Sequence, residues 1–278
     1  NTAVGGQTHK IFTEAQSVLS PLEPLEVELH VRAVALSYAD VLRVLSGRAE
    51  DTSLLRTEAA GVIAQSEISY GLEGASFGLA CAAFASIAHT PVQLLVSKPT
   101  VLSFDEASSL PMAWCLAHLA LRHATLRCGE RCVVQAAAGS IGLKTVEYAH
   151  WLCSSVLGSA GAPNKHVQLR SAGVSMCCSL RDASVFALSI GQLLAGRRSH
   201  VSLSSPTGGF IAPACSLLGE SGIAPLLNDP AFAALPAAAP PTTWRQPGAP
   251  RPPLHVSRQL FPHFFQCFLA ARYNLIDL

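Results

Sequence analysis

Residues 132–142 read "CVVQAAAGSIG", and Ala137, Gly139 and Gly142 fall there in the spacing A-x-G-x-x-G. An apolar, strand-like run precedes the glycines, and the helix-like run "SIGLKTVEYAHWL" follows. This arrangement can hold an anion. A small residue at 137 lets the chain turn tightly after a strand, Gly139 lets the backbone approach a pyrophosphate, and Gly142 lets the helix sit close to the sheet. The phosphates would rest on the free N–H groups and positive dipole end of the helix. The same spacing also fits a tight turn without a ligand in an alanine-rich chain, so spacing alone leaves both readings open.

The next strand, "SSVLGSAG" (154–161), ends without Asp or Glu. NAD-binding sites usually place an acid there for the ribose 2′-OH. Here small residues come first, followed by Lys165, His166 and Arg170. An uncharged strand end with a nearby cation suits a 2′-phosphate, hence NADPH. The alternative for Lys165 is an ordinary exposed helix cation. "RTEAAGVI" (56–63) carries an acid, two small residues and a glycine. Thr57 stands where the similar G-H-E-x-x-G motif of zinc alcohol dehydrogenases has its metal-binding His. The nine cysteines include no C-x-x-C and no cluster that replaces this His, so no metal is expected.

Two kinds of element must carry these residues. "LEVELHVRAVAL" (25–36) alternates apolar and polar, with Leu25, Val27, Leu29 and Val31 on one face of a strand. "SYADVLRVLSG" (37–47) has helical spacing and a glycine stop. Short apolar runs at 59–64, 77–88 and 92–96 make the first hundred residues β-rich. At Ser103 the pattern changes: Glu106 completes a capping box, and a helix runs to 126, broken at Pro111. Strands over 131–137, 155–159 and 200–204 then alternate with helices over 141–152, 164–172, 183–195 and 209–218. Such alternation argues for a parallel sheet with right-handed crossovers. Residues 225–253 hold nine prolines and read as a loop, linker or extended arm before an apolar C-terminal piece.

Half of the 278 residues are hydrophobic and 13% are charged, so the chain can bury a sizeable core. A net charge of +1 offers no electrostatic footprint for nucleic acid or an acidic membrane surface. The uncharged span 74–97 is rich in Gly, Ala and Ser and reads as core strands rather than a membrane helix. The start lacks the apolar core of a secretion signal. An odd number of scattered cysteines fits free thiols in a reducing compartment, and cytoplasmic placement is expected.

Six segments in fixed order, over roughly residues 20–218, carry a resemblance. They are "VELHVRAVALSYADVL", "TEAAGVI", "VSKPTVLSFDEASSLP", "LRCGERCVVQAAAGSIG", "CSLRDASV" and "LSSPTGGFIAPACSLL". Together the sequence resembles the enoyl reductase domain of type I polyketide and fatty acid synthases, a zinc-independent branch of the medium-chain dehydrogenase/reductase superfamily. The resemblance implies an α/β fold in which a GroES-like β-rich domain (25–105) follows a lead-in (1–24). A Rossmann-type parallel-sheet domain (106–222) comes next, truncated on its C-terminal side, and then an arm (223–278). It implies NADPH-dependent reduction of an α,β-enoyl thioester on an acyl carrier protein, alongside other synthase domains, and leaves a homodimer open. By position, Ala138, Gly139, Ser140, Ile141 and Gly142 would hold the pyrophosphate. Lys165 and Arg181 would reach the 2′-phosphate side, Ser179 would line the adenosine pocket, and Ser159 would be a further cofactor-binding residue. Tyr38 and Asp40 would line the active-site cleft.

The chain also departs from the family's pattern. The N-F-R-D asparagine and arginine are Ser37 and Ala39, and Arg48 stands near the place of a tyrosine proposed as proton donor. "CLAHLAL" lacks a threonine, the L-N-S-L asparagine is Ser204, and the strand after "CSLL" gives way to a proline-rich stretch. Two alternatives therefore stand beside the reductase: a catalytically silent structural domain of such a synthase, and a free-standing zinc-free quinone-oxidoreductase-like enzyme.

Overall fold

The computed structural model describes residues 16, 21–23, 25–37, 40–41, 56–66, 74–81, 83–203, 208–225 and 243–245. The chain falls into two compact units divided after Met112.

The first unit holds an antiparallel sheet of β1 (Glu26–Ala35), β2 (Arg56–Ser66), β3 (Ala75–Cys81), β4 (Ile87–Pro91) and β5 (Leu95–Ser97). Its order is β4-β1-β2-β3-β5. The alternation of β1 puts Val27 and Leu29 into a core with Ala59, Ala80, Ala88 and Leu95. Leu25 falls outside that face and stays exposed. Register shifts at Glu28/Leu29 and Val31/Ala33 mark bulges, which bend a strand and let the sheet curl around this core. Beyond β5, the Lys98 ammonium donates to the Pro99 and Leu102 carbonyls and lies 5.1 Å from the Phe104 ring centre. The expected capping box is complete: the Glu106 N–H donates to Ser103 Oγ, and the Glu106 carboxylate accepts from the Ser103 N–H. It opens α1 (Phe104–Ser108); α2 (Pro111–His123) begins at the proline expected to break the helix.

The second unit is built on β6 (Arg131–Val134), β7 (Ser155–Ala160), β8 (Met176–Ser179), β9 (Ser199–Leu203), β10 (Leu218–Pro225) and β11 (Thr243–Arg245). Between them run α3 (Ser140–Trp151), α4 (Pro163–Ser171), α5 (Ala183–Leu194) and α6 (Ile211–Ser216). The sheet order is β11-β10-β9-β6-β7-β8, parallel from β10 to β8 and antiparallel at β11. Val133, Leu157 and Cys178 pack against Phe186, Ile190 and Leu194 of α5 and Ala214 of α6.

Three strands differ from the sequence expectation. β8 is only four residues long, too short for a periodic signal. The helix near 209–218 is shorter than expected, and β10 continues the sheet beyond it. β10 was illegible because Gly219, Gly222 and Pro225 carry no strand signal; it pairs with β9 across a large register shift. Thr243–Arg245 pair with β10 inside the stretch read as an arm.

Candidate functional site

The chain leaves β6 at Val134 and turns through Ala136, whose φ of 50° is left-handed. The turn is tied to both neighbouring strands. The Gln135 N–H donates to the Leu203 carbonyl of β9 at 3.0 Å, and the Ala137 N–H donates to the Ser159 carbonyl of β7 at 2.9 Å. From β6 the chain steps to β7 and β8 on one side, then returns through β9 on the other. The turn after β6 therefore lies where the strand order reverses, at the carboxyl ends of parallel strands, which is where open α/β sheets bind ligands.

Gly139 is the N-cap of α3, with extended φ and ψ of −79° and 169°. No side chain caps this helix and no acid lies in its first turn. The first N–H groups and the positive end of the helix dipole are left for an anion. The glycines have different reasons. A Cβ at Gly142 would lie 2.5 Å from the Ala136 oxygen and 2.6 Å from Ala137 Cα, so only glycine lets the helix pack on the turn. A Cβ at Gly139 would meet only the Ala136 oxygen at 3.3 Å, which leaves the side open to an approaching phosphate. Ala138 and Ile141 are half-buried, and Ser140 is exposed.

The ends of β7 and β8 lie beside this turn. Ser159 is fully buried and its hydroxyl has no hydrogen-bond partner. Ser179 pairs with Ala160 at the end of β8. Arg181 Nε donates to the Gly161 carbonyl at 2.5 Å, which anchors an exposed guanidinium at the strand end that lacks an acid. His166 Nε2 is 2.8 Å from the Ala160 carbonyl and fastens α4 to β7. Lys165, beside it on α4, is exposed. The structure thus brings Ser159, Ser179 and Arg181 to one end of β7 and β8, with Lys165 in the helix that follows β7. The two basic side chains there, Lys165 and Arg181, are exposed, and Ser159 and Ser179 are neutral.

In the first unit, Asp40 is buried, and its Oδ2 accepts from the Ser37 N–H at 2.8 Å and the Ser37 hydroxyl at 2.6 Å. The Asp40 N–H donates back to Ser37 Oγ at 3.2 Å. These bonds form a capping box, so the Asp40 carboxylate holds the chain's entry into a helix. Tyr38 lies outside the described residues. Thr57 is buried, and its hydroxyl is 3.5 Å from the Ala80 carbonyl.

Sequence reasoning left Glu58 without a role. It is buried in β2 and accepts the Met112 N–H at 2.7 Å. Burial raises its pKa to about 7; the Met112 bond opposes this shift and the Asp40 charge adds to it. An acid among the small apolar residues of "TEAAGVI" was the available signal. On α2 and α3, His118 Nδ1 lies 2.9 Å from the Tyr148 hydroxyl. Burial and the nearby Arg122 push His118 down to about 3 and keep it neutral.

Among the described residues, no group of three or more His, Cys, Asp or Glu could hold a metal ion, and no helix is long and apolar enough to cross a membrane. No family model matches the chain. Erythronolide synthase EryA2 of Saccharopolyspora erythraea is 35% identical over 222 residues, which cover 76% of this chain and 6% of that protein. The crystal structure of CurK enoyl reductase superposes with a TM-score of 0.71 at 29% identity, over 80% of this chain and 70% of that one. Mycobacterial Rv1454c, solved in complex with NADPH, shares the fold at a TM-score of 0.70 and 17% identity, over 92% of this chain and 76% of that one.

Proposed function

The chain belongs to the enoyl reductase domains of polyketide synthases, within the medium-chain dehydrogenase/reductase superfamily, and on that premise we propose that it binds NADPH and reduces an α,β-enoyl thioester carried on an acyl carrier protein. The observation that carries this reading is the uncapped N-terminus of α3, set at the reversal of strand order and closed against its turn by Gly142.

NADPH, when bound, supplies the hydride for Cβ of the enoyl group, while a proton goes to Cα. The backbone from Ala138 to Gly142 holds the pyrophosphate on the helix N-terminus. Arg181, fixed by Gly161, and Lys165 neutralise the 2′-phosphate; Ser159 and Ser179 lie on the adenosine side. In this reading residues 106–222 form the cofactor domain and 25–105 the substrate-side domain. Tyr38 and Asp40 are the proposed active-site residues, and Asp40 acts as a positioning residue because Ser37 already holds its carboxylate. The carrier protein and the neighbouring synthase domains are the proposed partners.

The test is binding of NADPH and NADH to the purified chain, followed by cofactor fluorescence, with Lys165→Ala alongside. The reading expects NADPH to bind at least about tenfold tighter than NADH, the preference to fall in the variant, and enoyl-thioester turnover to follow. A folded chain that binds neither nucleotide would leave a silent structural domain in its place.

A further inference from the structure

We propose that Cys128 and Cys153 are a redox-active pair that closes into a disulfide across the amino ends of β6 and β7. Both residues are exposed. They lie on adjacent backbone segments. The Gly129 N–H donates to the Cys153 carbonyl at 3.0 Å, and the Ser154 hydroxyl donates to the Arg127 carbonyl at 2.8 Å. Cys128 is held between these two bonds. With a 3.0 Å hydrogen bond between the Gly129 nitrogen and the Cys153 oxygen, covalent geometry sets the two Cα atoms roughly 5–7 Å apart. Disulfides span about 4.4–6.8 Å between Cα atoms.

Each cysteine occupies a position where the backbone favours another residue. Arg127–Glu130 form a turn closed by the Glu130 N–H on the Arg127 carbonyl at 3.1 Å, with Gly129 at φ 79°. Cys128 is the second residue of that turn, where Pro is preferred. Cys153 ends α3. Its N–H donates to the His150 carbonyl, and the Ser154 N–H donates to Ala149, both at 2.9 Å, in the pattern that normally ends on glycine. Cys153 adopts the required left-handed φ of 57° with a side chain present. Two exposed thiols therefore replace the two residues that the local backbone prefers, on facing sides of one contact. The Cys153 sulfur lies 4.0 Å from the Trp151 carbonyl, at the limit of a thiol hydrogen bond, so rotating it costs little.

The chemistry balances with a small-molecule disulfide such as oxidised glutathione. One protein thiolate attacks it, forms a mixed disulfide and releases one glutathione thiol. The second protein thiolate then attacks the protein-side sulfur and releases the other. Two protons leave the protein, and two electrons pass to the glutathione. The bond would close a loop from 128 to 153 that holds β6, the phosphate turn and α3, and would tie the far end of α3 to the turn ahead of β6.

The reduced full chain is exposed to oxidised glutathione, trapped with iodoacetamide and digested with trypsin without reduction. The expected product is peptide 128–131 joined to peptide 145–165, in the folded chain and not in the urea-unfolded chain. In Cys128→Ser, Cys153 should instead stop as the glutathione adduct. Separate glutathione or alkyl groups on both cysteines of the native chain would overturn the proposal. So would a link that forms equally well in urea.

Discussion

At the scale of single residues, Glu58 and Lys165 give opposite lessons about charge. Glu58 carries its carboxylate inside the protein, and burial raises its pKa to about 7 from an ordinary 4.5. The folded state then binds a proton more tightly than the unfolded chain. Stability is therefore highest below about pH 4.5 and falls as pH rises toward 7, by about 3 kcal/mol for a shift of this size. Glu58→Gln keeps an oxygen for the Met112 N–H and removes the titration. Denaturant titration at pH 8 should find this variant more stable than the parent, and at pH 4.5 the gain should vanish; a loss at pH 8 would show that the charge itself is needed. Lys165 is exposed, and its value on the proposed function lies in binding alone. Lys165→Ala should leave the melting temperature within about 2 °C while weakening NADPH roughly tenfold and NADH hardly at all.

At the scale of elements, adjacent residues separate folding from binding. Asp182 is the N-cap of α5, and its Oδ1 accepts the Ser184 and Val185 N–H groups at 2.9 Å each. Asp182→Ala should cost about 1 kcal/mol of stability with NADPH affinity unchanged. Its neighbour Arg181→Ala should do the reverse. The two glycines of the turn divide in the same way. Gly142→Ala drives a Cβ into the Ala136 oxygen and should destabilise the unit by about 2 kcal/mol. Gly139→Ala puts a Cβ 3.3 Å from the Ala136 oxygen, a contact that a shift of a few tenths of an ångström relieves, so thermal melting should change far less than in Gly142→Ala while NADPH binding drops by tenfold or more. A Gly139→Ala chain that binds normally would mean that no phosphate approaches there.

At the scale of the whole molecule, thiols report how the chain is packed. Burial raises Cys132 and Cys178 to about 12, since neither can ionise without bringing a charge into the core of the parallel sheet. Among the described cysteines, native alkylation followed by mass spectrometry should modify Cys128 and Cys153 first, and Cys132 and Cys178 only after unfolding. Fast modification of Cys132 would mean that β6 opens far more often than a central strand should.

The order of elements was legible in the sequence because it rests on local physics. Alternation in "LEVELHV", the Ser103–Glu106 box and Pro111 each fix a backbone state within a few residues. The turn at 137–142 was legible for the same reason, since its small residues are a requirement of the local backbone, with Gly142 packed against Ala136 and Ala137. Asp40, read as part of the cleft, is held by Ser37 in a box that the spacing S-x-x-D already contained. What only the tertiary structure decided depends on partners far along the chain. β8 and β10 are strands because β7 and β9 offer them hydrogen bonds, not because their residues prefer to be extended. Glu58 is perturbed because the folded sheet buries it, and Arg181 is placed because Gly161, twenty residues earlier, accepts its N–H. Cys128 and Cys153 are neighbours because β6 and β7 run parallel, which starts both strands at the same edge.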